Sequence, residues 1–214
     1  MTTLDTTANL TANLSVKFHS ARGMKQEERD TIKKCLKKAN EAVAMTVDVI
    51  AGTKSSSIKG AALFAHFRVS SATAPTLATI TTNFNSIRAG LNGPLNISDV
   101  YQRNGVGTLG YVDTITPLAG PARKRSIHLE FNLLKDALRP VASMTIIHEA
   151  SHKFANTADN AYAYQASYNQ LSALQAANNA DSYAYFAWSI YLGKVVTSTD
   201  ALSQAFRRLH LGIL

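Results

Sequence analysis

The chain has one cysteine, Cys35, among 214 residues, so an intramolecular disulfide is impossible. The fold must then be held by core packing, which suits a reducing compartment or an export route without a cleavable signal. No run of 18 apolar residues exists, which excludes a transmembrane helix. Met1 to Leu14 has neither a basic start nor an apolar core, so no secretory signal is expected there. The expected location is the cytoplasm, or outside the cell by a signal-independent route. Acidic residues are also scarce, 14 against 22 Lys and Arg, for a net charge of +8. What remains is 46% hydrophobic and 17% charged, a composition that fills one sizeable core. No break in composition marks a second domain. We expect residues 1–23 to form a flexible N-terminal extension and residues 24–214 a single domain.

Residues 24–51 read as a long amphipathic helix. Ile32, Cys35, Leu36, Ala39, Val43, Val47 and Ile50 follow its period, and Gly52 stops it. Its other side carries Lys25, Arg29, Lys33, Lys34, Lys37 and Lys38, a run that is either a solvated face or a patch for anionic partners. Ala61 to Phe67 is a short apolar segment whose His66 reads as a hydrogen-bonded packing residue. Pro75 to Leu91 is helical. Strand character follows at Asn96 to Tyr101, Leu109 to Ile115 and Ser126 to Leu133, punctuated by glycines. In the last, Ile127, Leu129 and Phe131 alternate with His128, Glu130 and Asn132. That strand is either a substrate-holding edge or a central strand. Arg123, Lys124 and Arg125 before it form an exposed loop. Gln165 to Ala177, Asp181 to Leu192 and Ala201 to Leu209 are expected as helices.

The chemistry concentrates in Ile146-Ile147-His148-Glu149-Ala150-Ser151-His152. A random chain of this length contains H-E-x-x-H on the order of once in a few hundred trials. On a helix, His148 and His152 lie one turn apart and point the same way, so both can bind one Zn²⁺. Glu149 is rotated by roughly 100° from His148, which suits a base acting on a metal-activated water better than a ligand. Pro140 fits the first turn of this helix. Val141, Met144, Ile146, Ile147 and Ala150 give it an apolar surface, and Asn156 suits a left-handed stop. A third ligand is needed, and Asp159 is the nearest acid downstream.

H-E-x-x-H followed by Thr157-Ala158-Asp159-Asn160-Ala161-Tyr162 resembles the aspzincin metalloendopeptidases, the deuterolysin and peptidyl-lysine endopeptidase group. Their second motif is usually G-T-x-D-x-x-Y, and Asn156 stands here at its Gly. Asn179-Ala180-Asp181-Ser182-Tyr183-Ala184-Tyr185-Phe186-Ala187 is similar to the group's N-A-D-x-Y-x-x-F-A stretch. The resemblance runs from about residue 125 to 192. It implies an α+β, zincin-like fold, a small twisted sheet with an active-site helix and surrounding helices. It also implies one Zn²⁺ on His148, His152 and Asp159, with Glu149 as base and Tyr162 as donor to the scissile carbonyl. Lysine-directed members place two acids in the pocket for the residue after the cut. Asp181 falls on one of these positions and Ala184 on the other. Asp181 is thus expected either to bind substrate or to cap a helix beginning at Ser182.

The function expected is zinc-dependent endopeptidase, acting on protein or peptide substrates. A role as a delivered toxin or effector is compatible with a small basic enzyme of this kind. The alternative is a basic module binding nucleic acid or an anionic surface, with a structural or degenerate metal site. No aromatic residues interleave the basic run as in single-strand binders, so specific nucleic-acid binding is not expected.

Overall fold

The computed structural model describes residues 16–19, 25–70, 75–99, 109–112, 126–131, 134 and 139–210. The fold is α+β, as expected. Its sheet joins β1 (Val16–His19), β2 (Leu95–Asp99), β3 (Gly110–Val112) and β4 (Ile127–Leu129) in the order β1-β2-β4-β3. β1, β2 and β4 run parallel, and β3 lies antiparallel to β4. One expectation changes here, and one left open is decided. Val16–His19, assigned to a flexible extension, pairs residue for residue with Leu95–Ser98 and belongs to the sheet. Four residues are too short a run for alternation alone to reveal. The strand at 127–129 takes the central of its two expected places, between β2 and β3, and among the described strands β3 is the terminal one on that side. Both Ile127 and Leu129 are buried, while His128 stacks on Tyr111 of β3 with ring centroids 4.4 Å apart. The expected loop at Arg123 to Arg125 lies outside the described residues.

The helices cover one another and the sheet. α1 (Gln26–Ala51) buries Ile32, Cys35, Leu36, Ala39 and Val43, leaves Lys33 and Lys34 exposed, and ends on Gly52 at φ 79°. Glu28 closes its first turn by accepting from the Lys25 N–H at 3.0 Å. α2 (Lys59–Phe67) and α3 (Pro75–Asn92) follow, then the site helix α4 (Arg139–Ala155), which packs against α1, α3 and the sheet. Gly90 of α3 permits that packing. A Cβ there would stand 2.3 Å from the Phe154 ring of α4, a distance no side chain tolerates.

The expected helix from Gln165 to Ala177 is broken. A 3-10 turn, Ala166–Gln170, gives way at extended Leu171 to α5 (Ala173–Ala177). Ser172 caps α5, its Oγ accepting from Gln175 N at 3.3 Å, and a capping serine ends one element as it starts another. α6 (Ala180–Leu192) is buried along nearly its whole length, Asp181, Ser182 and Ser189 included. Phe67, Phe84, Tyr183 and Phe186 form one aromatic cluster, with centroid separations of 5.0 to 5.7 Å across most of its pairs. α7 (Ala201–His210) closes the described chain.

Candidate metal centre

Helix α4 places the two histidines as their spacing requires. His148 and His152 project from successive turns with their rings 4.8 Å apart, and their Nε2 atoms are separated by 3.1 Å. The helix then stops at Asn156, which takes the left-handed conformation at φ 55°. The chain reverses there, and Asp159 returns to the histidines. Its Oδ1 lies 3.1 Å from His148 Nε2 and 3.2 Å from His152 Nε2.

The loop carrying Asp159 is fastened to the start of α6. Ala158 N donates to Asn178 O at 2.9 Å, and Ala180 N donates to Ala158 O at 3.0 Å. Ala161 N donates to Asn179 Oδ1 at 3.0 Å, and Ala163 N donates to Asp181 Oδ2 at 2.7 Å. On the helix side, Ser151 and Thr157 join hydroxyls at 2.7 Å. Sequence reasoning passed over Ser151, Thr157 and Asn179. Their one signal was position, since each lies inside or beside a motif without being one of its reactive residues.

The hydrogen bonds decide where the imidazole lone pairs point. His152 Nδ1 lies 2.8 Å from the carbonyl of Thr157, which can only accept, so Nδ1 carries the proton. His148 Nδ1 lies 2.7 Å from Asp181 Oδ1 and donates to it in the same way. Both Nε2 lone pairs therefore face each other and the Asp159 carboxylate. Three acceptors at 3.1–3.2 Å repel one another unless a cation lies between them. A tetrahedral ion with bonds of about 2.0–2.1 Å holds neighbouring donors roughly 3.3 Å apart, so the group fits Zn²⁺. Among the described residues, His148, His152 and Asp159 form a set able to hold a metal.

Without metal, protons supply the charge instead. Burial disfavours the His148 imidazolium, but bonds to Asp159 and Asp181 and the nearby Glu149 outweigh it and raise His148 well above its ordinary range. Burial would likewise raise Asp159, yet the two imidazoles hold its carboxyl far below the usual range. Metal binding must therefore release a proton. Glu149 is buried, and burial lifts it to about 7 against the opposing pull of His148 and His152. Among the described residues its Oε2 is buried without a hydrogen-bond partner, and it lines the same cleft as the three donors. An acceptor left open at that place suits a water delivered by the metal. Tyr162 stacks parallel to His148 at 6.0 Å, and burial followed by the Asp159 charge keeps its phenol protonated.

Asp181 requires a correction. It is 1% exposed, and its two oxygens are engaged by His148 Nδ1 and Ala163 N. It neither opens into the substrate cleft nor caps a helix at Ser182, because α6 begins one residue before Asp181 with Asn179 as its N-cap. The carboxylate orients a metal-facing histidine from behind, and a motif position alone does not tell the front of a ligand from its back. The cleft itself, about 410 Å³, opens over His148, Glu149, His152 and Asp159, with β3 along one wall and Phe206 of α7 on another. Gly110 of β3 is a further residue that sequence reasoning missed. A Cβ there would meet Glu149 Oε1 and His128 O, each at 2.9 Å.

Comparison with known proteins agrees with the resemblance. Residues 132–188 match the family model described as lysine-specific metallo-endopeptidase of the aspzincin group. A zinc peptidase from Grifola frondosa superimposes with a TM-score of 0.61 over 78% of this chain and 97% of its own. The two are 19% identical, so this likeness is one of fold. No curated protein sequence was found to match.

Proposed function

We propose that this chain is a zinc-dependent endopeptidase in which His148, His152 and Asp159 hold the ion and Glu149 is the base. The observation that carries the reading is the set of three inward-facing donors with Glu149 Oε2, unpartnered among the described residues, in the same cleft. A Zn²⁺ ion bound there acidifies water towards a pKa of roughly 7 and polarises a carbonyl. Glu149 takes the proton of the attacking water through Oε2 and passes it to the departing amine nitrogen. Tyr162, kept protonated by its surroundings, donates to the oxygen on which negative charge develops. Among the described strands β3 pairs with β4 on one side, and it lines the cleft, which supports binding of an extended peptide along its other side.

The test combines metal analysis with cleavage of unfolded casein. We expect one zinc per chain and hydrolysis that a chelator stops. Glu149→Gln should keep the zinc and lose activity by about 10²- to 10⁴-fold, the usual worth of a positioned base. A protein that binds no zinc, or a Glu149→Gln variant of full activity, would sink the reading.

A further inference from the structure

The metal centre leaves unused one feature of the sequence, the basic side of α1. Arg29, Lys33 and Lys34 are exposed there, and Lys37 and Lys38 are half-buried. The four lysines lie within about 8 Å along the helix axis and roughly 140° around it, so they share one side. The other side buries Ile32, Cys35, Leu36, Ala39 and Val43, where α1 packs against α3, α4 and α6. Lys33 with Lys37, and Lys34 with Lys38, are like charges one turn apart, a spacing that destabilises a helix until an anion covers it. The acids of α1 are engaged elsewhere or lie at a distance. Glu28 accepts from the Lys25 N–H, Asp30 from Gln26 Nε2 at 2.9 Å, and Glu41 from the Tyr191 hydroxyl at 3.4 Å. Asp48 pairs with Lys54 at 3.1 Å, and Glu27 stands more than one and a half turns before Lys33.

We propose that this side of α1 holds the protein against an anionic lipid surface. Its chemistry favours that partner over nucleic acid. α1 contains no aromatic residue on which a base could stack, and its central cations are all lysines. Lysine is a point charge on a flexible stem without arginine's planar fork, so it responds to charge density more than to the shape of one phosphate. The apolar side of α1 is committed to the core, so the attachment is electrostatic, reversible and weakened by salt. None of the residues lining the cleft comes from α1, so attachment through this side leaves the cleft uncovered.

The experiment is sedimentation of the full chain with phosphatidylcholine vesicles, made with and without about a third of phosphatidylserine. We expect the protein to pellet with the anionic vesicles alone, and to be released as salt rises from about 0.1 M to about 1 M. Each lysine near such a surface is worth about fivefold in affinity, so Lys33→Gln with Lys34→Gln should weaken binding about 30-fold. Lys54→Gln with Lys194→Gln removes the same charge from ion pairs elsewhere and should weaken it by less than about threefold. Equal weakening in the two variants, or a wild type that stays in solution with both kinds of vesicle, overturns the proposal. So does a DNA duplex that strips the protein from the vesicles at a lower phosphate concentration than the anionic lipid supplies, because nucleic acid is then the better partner. Vesicle binding needs neither zinc nor hydrolysis, so its outcome is separate from that of the peptidase reading.

Discussion

Two buried regions of this protein are built around histidine, and they put it to opposite use. In the first, His66 of α2 is enclosed between Tyr168 and Ser189. The Ser189 hydroxyl donates to Tyr185 O at 2.7 Å, so towards His66 Nε2, 3.0 Å away, it can only accept. Nε2 therefore carries the proton, and Nδ1 accepts from the Tyr168 hydroxyl at 3.1 Å. Every lone pair and proton of that ring is used. Burial, then the nearby Arg68, pushes it down to about 3, and it stays neutral. In the second region, His148 and His152 place their protons on Nδ1 and leave both Nε2 lone pairs aimed at one point. Neighbouring hydroxyls close a histidine into the core. A carboxylate or carbonyl behind it and an acid in front open it to a cation.

The sharpest way to break this contrast is to remove one histidine from each region. His152→Ala should abolish both stoichiometric zinc and hydrolysis, whereas His66→Gln should retain one zinc per chain by metal analysis. Loss of zinc in both would mean that the two regions are not separate.

Next in size is the acid stability of the His66 region. The folded value of about 3 lies below the unfolded 6.5, so the unfolded chain binds the extra proton between those limits. The contribution is fully present above pH 6.5 and is lost progressively as pH falls towards 3. At ~1.4 kcal/mol per pH unit, it amounts to several kcal/mol across that window. Denaturant titrations at pH 7 and pH 4 should show a smaller acid loss in His66→Gln than in the wild type. An equal loss in both would show that His66 titrates normally.

A smaller effect is expected behind the metal. Asp181→Asn removes the charge against His148 Nδ1 but keeps an oxygen able to accept from it. Zinc affinity should fall by about 10- to 100-fold, read by competition with a chromophoric chelator, while activity at saturating zinc falls much less. Unchanged affinity would mean that Asp181 serves only the Ala163 backbone.

The contrast also explains how much of the site was legible beforehand. His148, Glu149 and His152 lie within one and a half helical turns, so spacing alone oriented them, and the structure brings Asp159 to them through the left-handed turn at Asn156. Asp181 was legible as important and not as to its direction, because a helix position within a motif has an inner and an outer face. The long helices followed their apolar period. β1 did not, since four residues take their meaning from Leu95–Ser98, far along the chain. Ser172 broke an expected helix by local hydrogen bonding, which competes with helical periodicity.

The least of the expected effects asks whether packing, beside charge, prepares the open histidine region. Gly110 sits on β3, directly over the base. Its backbone needs no left-handed conformation; what it needs is room. In Gly110→Ala the added methyl would stand 2.9 Å from Glu149 Oε1 and 2.9 Å from the backbone oxygen of His128. The latter is held in the sheet by β4, so the strand pair cannot yield without cost, and the carboxylate is the softer neighbour. Glu149 should therefore shift by a few tenths of an ångström, while His148, His152 and Asp159 keep their places. The expected result is full zinc occupancy with kcat reduced by roughly tenfold, about 1.4 kcal/mol of transition-state stabilisation, and KM changed little. If zinc is lost as well, β3 supports the whole metal group. If kcat is unchanged, the base has slack, and the charges around the histidines suffice to prepare the site.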